Sequence, residues 1–106
     1  MIKIDIIIPV YNESKNIVRL LKSLEAEITY NFRIFICYDS EKDTTLDYLR
    51  NEKNIIQEEI VLVKNPKQGP NTAIIEGIKS SESEIILVYM ADDFENIKII
   101  NHMIRL

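Results

Sequence analysis

Apolar and polar positions fall into blocks whose period switches repeatedly between strand-like and helix-like. Ile4 to Pro9 is an apolar, mostly β-branched run broken only by Asp5, the pattern of a strand buried on both faces. Pro9 closes it, because proline has no N–H to give to a sheet ladder. Ile17, Leu20, Leu21, Leu24 and Ile28 then recur at helical spacing, with Lys15, Arg19, Lys22 and Glu25 on the other side. That predicts an amphipathic helix of about four turns, capped by Asn12 or Ser14. Phe32 to Tyr38, apolar and aromatic apart from Arg33, predicts a second strand, and Asp43 or Thr44 can cap a short helix through Leu46, Tyr48 and Leu49. Ile60 to Val63 reads as a third strand. The strongest loop signal in the chain, Asn65-Pro66-Lys67-Gln68-Gly69-Pro70, follows it and leads to a helix with Ala73, Ile74, Gly77 and Ile78 facing inward. Glu84 to Met90 reads as strand four and Asn96 to Leu106 as a last helix, where Ile97, Ile100 and Ile104 form one face that Ile99 and Met103 widen. At roughly 100° per residue that apolar arc is about 160°, wider than one sheet contact fills.

Strands separated by helices give an α/β fold with a parallel sheet, since each crossover carries a helix and right-handedness distributes the helices over both faces. Half of a doubly wound sheet is the economical architecture. In such sheets ligands bind beyond the carboxyl ends of the strands. The segments that matter are therefore Val10-Tyr11-Asn12-Glu13, Asp39-Ser40-Glu41, Lys67-Gln68-Gly69-Pro70-Asn71 and Ala91-Asp92-Asp93.

Composition narrows the function. At 106 residues, with 46% hydrophobic and 28% charged positions, the chain has the mass of a single globular domain over 1–106. A net charge of −4 argues against nucleic acid as a partner, because a general binder needs a basic surface to displace counterions from phosphates. One cysteine, Cys37, cannot form an intramolecular disulfide, so a reducing, cytoplasmic setting is expected. The N-terminal apolar stretch is short, carries Lys3 and Asp5 and ends in Pro9, unlike a cleavable leader, and no apolar run has the length of a membrane span. Gly69 and Gly77 are the only glycines, so tight backbone geometry elsewhere falls to Asn, Asp or Ser.

The strand ends exclude some chemistries and suggest others. Neither G-x-G-x-x-G nor G-x-x-x-x-G-K-[ST] occurs, and His102 alone cannot build a nucleophilic triad. Asp92 and Asp93 can share one hard divalent cation whose other positions a diphosphate fills, although a solvated turn or a helix cap is the commoner use of two such acids. Asp39, ending strand two, can accept hydrogen bonds from the N–H groups of uracil or guanine, or be a plain turn residue. Tyr11 offers an aromatic face for stacking and Glu13 an acceptor for ribose or base, or simply an acid at a helix start.

These residues resemble a known family. Asp5-Ile6-Ile7-Ile8-Pro9-Val10-Tyr11-Asn12-Glu13, then Asn16-Ile17 and an apolar helix, is similar to the opening of the family 2 glycosyltransferases of GT-A fold. Tyr38-Asp39-Ser40-Glu41-Lys42-Asp43-Thr44-Thr45 resembles their D-D-G-S-T-D-G-T segment. Gly69-Pro70-Asn71-Thr72-Ala73 with Gly77 resembles G-x-G-x-A…G, and Met90-Ala91-Asp92 resembles the D-A-D metal motif. The dolichyl-phosphate mannosyltransferase-like branch is the nearest in pattern. The resemblance implies half of a GT-A (Rossmann-like) fold with strand order 3-2-1-4. It implies a nucleotide-diphospho-sugar donor, UDP- or GDP-linked, held by Pro9, Val10, Tyr11, Glu13, Asp39, Gly69, Asn71, Ala91 and Asp92. It also implies Mg²⁺ or Mn²⁺ on Asp92, with Asp93 as an extra acid, and glycosyl transfer as the parent reaction.

Departures accompany the match. Tyr38 and Met90 stand where the family has acids, and Asn71 replaces a glycine. Family members continue well past this length, so the chain is expected to be the donor-binding part of a longer enzyme, inactive alone, with the catalytic base in that enzyme's C-terminal half. The full-length parent is expected in the cytoplasm or at the cytoplasmic face of the membrane. Surface left apolar, the last helix above all, predicts a homo-oligomer. The lost acids leave open a different class, a non-catalytic nucleotide-binding or protein-interaction module.

Overall fold

The computed structural model describes residues 3–51 and 55–105. β1 (Ile4–Pro9), β2 (Phe32–Tyr38), β3 (Ile60–Lys64) and β4 (Ile85–Val88) form one parallel sheet in the order β3-β2-β1-β4. All six residues of β1 are buried, as a central strand with both faces covered requires. β1 pairs with β2 from Ile4↔Phe32 to Pro9↔Cys37 and with β4 from Ile4↔Ile85 to Ile7↔Val88, so the strands end together at one edge.

That register divides the side chains. Ile4, Ile6, Ile8, Ile34 and Ile36 face α1 (Ile17–Glu27), α2 (Thr44–Asn51) and α4 (Ile100–Arg105), the last entered through a 3₁₀ turn at Ile97–Ile99. Ile7, Phe35, Cys37 and Val63 face α3 (Pro70–Ser80) alone. α3 lies close because Gly77 has no side chain: a Cβ there would stand 2.6 Å from Ile7 Cγ2 and 2.7 Å from Cys37 Sγ.

Several boundaries differ from the sequence expectation. α1 has 11 residues, nearer three turns than four, and neither Asn12 nor Ser14 caps it. Asn16 holds the cap position while the Glu13 carbonyl accepts from the N–H groups of Asn16 and Ile17. β4 stops at Val88, although the Tyr89 N–H still reaches the Ile7 carbonyl, because the chain turns at Met90. Ile78, expected inside, is 42% exposed, and Ile74 is half-buried. α3 covers β1 to β3 and leaves the β4 side of that face open, with Val88 44% exposed. The last helix does bury Ile97, Ile100 and Ile104 and exposes Ile99 and Met103, while Leu106 lies outside the described residues. No helix among the described residues is long and apolar enough to cross a membrane.

Candidate functional site

At the carboxyl ends of the strands two adjoining hollows open. One, of about 150 Å³, is lined by Pro9, Val10, Tyr11, Glu13, Asp39, Gly69, Pro70, Ala73 and Met90. The other, of about 170 Å³, shares Tyr11 and Asp39 with it and adds Asn12, Ser40, Lys42 and Asp43. Six residues expected at a donor site, Pro9, Val10, Tyr11, Glu13, Asp39 and Gly69, thus converge. Tyr11 is 75% exposed, so its ring is free to meet a ligand face.

The turn after β1 is held from α2. Asn12 takes φ of +51°, a left-handed conformation that asparagine tolerates, which supplies the tight bend glycine would otherwise make. Its N–H donates to Asp43 Oδ2 at 3.1 Å, and its own Oδ1 accepts from the Thr44 N–H at 3.0 Å. The Glu13 N–H donates to Thr45 Oγ1 at 2.8 Å, and Asn16 Nδ2 donates to Glu13 Oε2 at 3.1 Å. Asp43 also caps α2, its Oδ1 accepting from the Thr45 N–H at 2.8 Å. One buried carboxylate therefore fixes both a helix start and the turn that lines the hollow.

Asp39 is anchored from the opposite side. Its Oδ1 accepts from Asn65 Nδ2 at 2.8 Å and its Oδ2 from the Gly69 N–H at 2.9 Å. Gly69 has φ of +103° and ψ of 157°, a region essentially closed to residues with a Cβ. Asn71 is exposed on the first turn of α3 and lies outside the hollow's lining.

The turn after β4 differs most from expectation. Met90 lines the hollow, Ala91 is buried and does not, and Asp92 is exposed beside it. Asp93, expected as a second metal ligand, caps the following segment instead. Its Oδ1 accepts from the N–H groups of Glu95 and Asn96, and its Oδ2 from Asn96 Nδ2. The Asn96 amide and these backbone donors hold its carboxyl below the ordinary range. The neighbouring Tyr89 hydroxyl is buried without a hydrogen bond of good geometry, and burial, then the Asp93 charge, push it up to about 12. Among the described residues no three His, Cys, Asp or Glu side chains converge. Asp92 offers a carboxylate at this turn that no donor among the described residues holds, which suits a hard cation arriving with phosphate oxygens and water better than one caged by protein.

A wider hollow, about 420 Å³, lies at the other end of the sheet around Asp5 and Arg33. It holds an ion pair bridging β1 and β2, the structural use of that end of a parallel sheet. Cys37 is buried, and burial, then Glu76, push its thiol up to about 12, so it is a packing residue and not a nucleophile. His102 is exposed. Pro70, Ala73 and Met90 lay within the segments and motifs the sequence singled out but were not named as lining, and Asn65 was missed as a support, the Asn65-Pro66 loop signal being the available hint.

The sheet order agrees with that of the solved structures the chain resembles. The chain is 28% identical over 98 residues to the poly(ribitol-phosphate) beta-N-acetylglucosaminyltransferase TarS of Staphylococcus aureus (strain Mu50), covering 91% of this chain and 17% of that protein. It is 25% identical over 93 residues to an undecaprenyl-phosphate 4-deoxy-4-formamido-L-arabinose transferase of Pseudomonas fluorescens, covering 84% and 27%. It superposes on the crystal structure of S. aureus TarS 1-349 in complex with UDP with a TM-score of 0.73 at 25% identity, over 98% of this chain and 31% of that one. It also shares the fold of a glucosyl-3-phosphoglycerate synthase from Mycobacterium tuberculosis solved with Mn²⁺ and UDP, at TM-score 0.64 and 14% identity, over 85% and 33%. The chain thus spans less than a third of the first three of these matched chains and a third of the fourth. The family model for glycosyl transferase family 2 matches residues 5–105, nearly the whole chain, and with the half GT-A sheet and its strand-end motifs this makes the chain a member of that family.

Proposed function

We propose that this chain forms the donor-binding wall of a glycosyltransferase, holding a nucleotide-diphospho-sugar for transfer to an acceptor. The observation that carries this is the convergence of the Pro9–Glu13 turn, Asp39 and Gly69 on one hollow at the carboxyl ends of the strands. Each hollow is smaller than the roughly 300–1,000 Å³ that encloses a whole ligand, which fits one wall of such a site. Tyr11 stacks on the base, and Glu13 accepts from ribose. Asp39 accepts from a base N–H, since each of its oxygens carries a protein bond and keeps a lone pair. A uridine donor is favoured, because TarS at 25% identity was solved with UDP and with UDP-GlcNAc.

In the parent reaction an acceptor oxygen bonds to the anomeric carbon, the bond to the diphosphate breaks, and the acceptor proton leaves to a base. None of this chain's residues is assigned as that base. Asp92 would hold Mg²⁺ or Mn²⁺, which supplies charge stabilisation to the departing diphosphate. Placement in a dolichyl-phosphate mannosyltransferase-like branch rests on motif resemblance, and a cytoplasmic or cytoplasmic-face location on the reducing setting that suits Cys37.

Met90 in the lining favours a second reading, a nucleotide binder that does not transfer. A thermal-shift panel of UDP, GDP, CDP and dTDP with and without Mn²⁺ separates the two, because a ligand that binds only the native state raises its melting temperature. Asp39→Ala is expected to weaken the preferred nucleotide about ten- to hundredfold with or without metal, the value of roughly 1.5–3 kcal/mol for a hydrogen bond to a charged group. Asp92→Asn is expected to remove only the Mn²⁺-dependent part of the binding. Unchanged affinity in both variants would refute the assignment, and metal-independent wild-type binding would favour the second reading.

We further propose that the chain self-associates through its uncovered apolar surface. Ile99 and Met103 are 48% and 51% exposed, and β4 is an edge strand of four apolar residues without charge or proline to block pairing. Sedimentation at micromolar concentration should show a species heavier than monomer, reduced by Ile99→Lys with Met103→Lys. A monomer throughout would refute it.

A further inference from the structure

We propose that Asn65 is a positioning residue of the donor site, whose buried amide sets the Asp39 carboxylate and the Gly69 bend as one unit. The inference rests on the donor-site reading of Asp39 given above. Asn65 is fully buried although it belongs to a loop, and a buried amide must find partners for both of its ends. Its Nδ2 faces three acceptors, Asp39 Oδ1 at 2.8 Å, Thr72 Oγ1 at 2.9 Å and the Gly69 carbonyl at 3.2 Å. Its Oδ1 accepts from the Lys67 N–H at 3.1 Å. Asp39 Oδ2 then accepts from the Gly69 N–H at 2.9 Å, which closes a ring of hydrogen bonds through Asn65, Asp39 and Gly69.

The backbone at Asn65 is fixed as well. Its N–H donates to the Tyr38 carbonyl at 2.7 Å, and Lys64 Nζ donates to the carbonyls of both Asp39 and Asn65. The end of β3 is thereby joined to the end of β2 at the residue before Asp39. Asparagine suits this position because it donates to a carboxylate and accepts from a backbone N–H at once, at one side-chain length. Aspartate would set a second carboxylate against Asp39, and serine would be too short to reach both Asp39 and Lys67. The carboxylate so held lines both hollows, so its orientation decides where a base N–H is met.

The test exchanges the two side chains. In Asn65→Asp two acceptors face each other, and in Asp39→Asn one oxygen must serve the two donors Asn65 Nδ2 and Gly69 N–H. When Asp39→Asn is combined with Asn65→Asp, the amide now at position 39 donates to the carboxylate now at position 65, and the amide oxygen accepts from Gly69. Exchange of the Gly69 amide hydrogen, followed by NMR, reports the ring without any ligand. Each single variant is expected to speed that exchange about tenfold or more, and the double variant to recover much of the protection, the coupling that a double-mutant cycle measures. UDP affinity should fall about tenfold in Asn65→Asp and stay low in the double variant, where the ligand-facing carboxylate has moved. Gly69 protection unchanged in both single variants, or the double variant no better protected than either, would overturn the positioning role. Lost protection with full UDP affinity in Asn65→Asp would overturn its link to binding. If Asn65→Asp does not fold, Asp39→Asn against the double variant reads the same coupling. Failure of wild type to bind any nucleotide would refute the donor-site reading and with it the link to binding, while the Gly69 exchange would still decide whether Asn65 holds Asp39.

Discussion

Arg33→Ala is expected to destabilise the protein by about 3 kcal/mol at neutral pH, the low end of the range for stripping a buried charge of its partner. Arg33 Nε and an Nη donate to the two Asp5 oxygens at 2.9 Å each, and Ser81 Oγ donates to Asp5 at 2.5 Å. Asp5 is completely buried near the start of the central strand β1, whereas the Arg33 side chain is 38% exposed, and water entering the vacated space keeps the loss from being larger. Burial by itself would raise the Asp5 carboxyl, but the bonds from Arg33, Ser81 and Ser83, with the Arg33 charge, overcome it and hold the group below its ordinary value of 3.8.

The sign of the pH dependence follows. A carboxyl held low in the folded state contributes stability that is present above its unfolded value and lost as pH falls through the folded one. Without Arg33 burial dominates, the carboxyl rises, and the variant is relieved as the group protonates. Urea unfolding at pH 7 and near pH 3.5 should therefore show a gap between wild type and Arg33→Ala that narrows in acid. A variant within about 0.5 kcal/mol of wild type at pH 7, the size of an ordinary surface effect, would refute the role of the pair.

Gly77→Val is expected to cost roughly 3 kcal/mol, at the top of the usual range for overfilling a packed core. The new Cβ would stand 2.6 Å from Ile7 Cγ2 and 2.7 Å from Cys37 Sγ, both on short side chains rooted in the sheet. Neither can swing away, so α3 must lift. α3 begins at Pro70, directly after the Gly69 bend, and lifting it draws the Gly69 N–H away from Asp39. Nucleotide affinity should therefore fall together with the melting temperature. Gly77→Ala should lose less, since alanine regains up to about 1 kcal/mol of helix propensity, and Cys37→Ala beside it should restore part of the loss by removing one clash. A Gly77→Val protein that melts with wild type would show that the helix does not sit on this contact.

Much of the fold was legible because its pattern is local. A central parallel strand must be apolar on both faces, and Ile4 to Pro9 is; an amphipathic helix must bury one stripe, and Ile17, Leu20, Leu21 and Leu24 are fully buried. The boundaries of β2 were readable to the residue, since Tyr38 and Asp39 mark a change from apolar to polar. The split of the helices over two faces followed from the handedness of crossovers. Ile78 was misjudged because periodicity shows which side of an element is apolar, and not whether a neighbour comes to cover it; β4 was drawn too long because the apolar run continues into the chain's turn at Met90.

The candidate site divides in the same way. Tyr11, Glu13, Asp39 and Gly69 were identifiable from position after a strand together with residue chemistry, because strand ends in a parallel sheet meet at one edge. The cap that Asp43 gives α2 was legible as well, but its hold on the Asn12 turn and the roles of Thr45 and Asn65 were not, since those partners lie far away in sequence, Asn12 and Asp43 being 31 residues apart and Asn65 and Asp39 being 26. Asp93 shows the limit most plainly. A carboxylate near a strand end binds metal or caps a turn according to which donors reach its oxygens, and here the N–H groups of Glu95 and Asn96 do. The sequence by itself determined the elements, their order and the edge at which ligand chemistry gathers, all set by side-chain polarity and short-range spacing. Tertiary structure alone decided which polar groups hold one another and which stay free to hold a ligand, because a hydrogen bond depends on ångström distances between residues far apart in the chain.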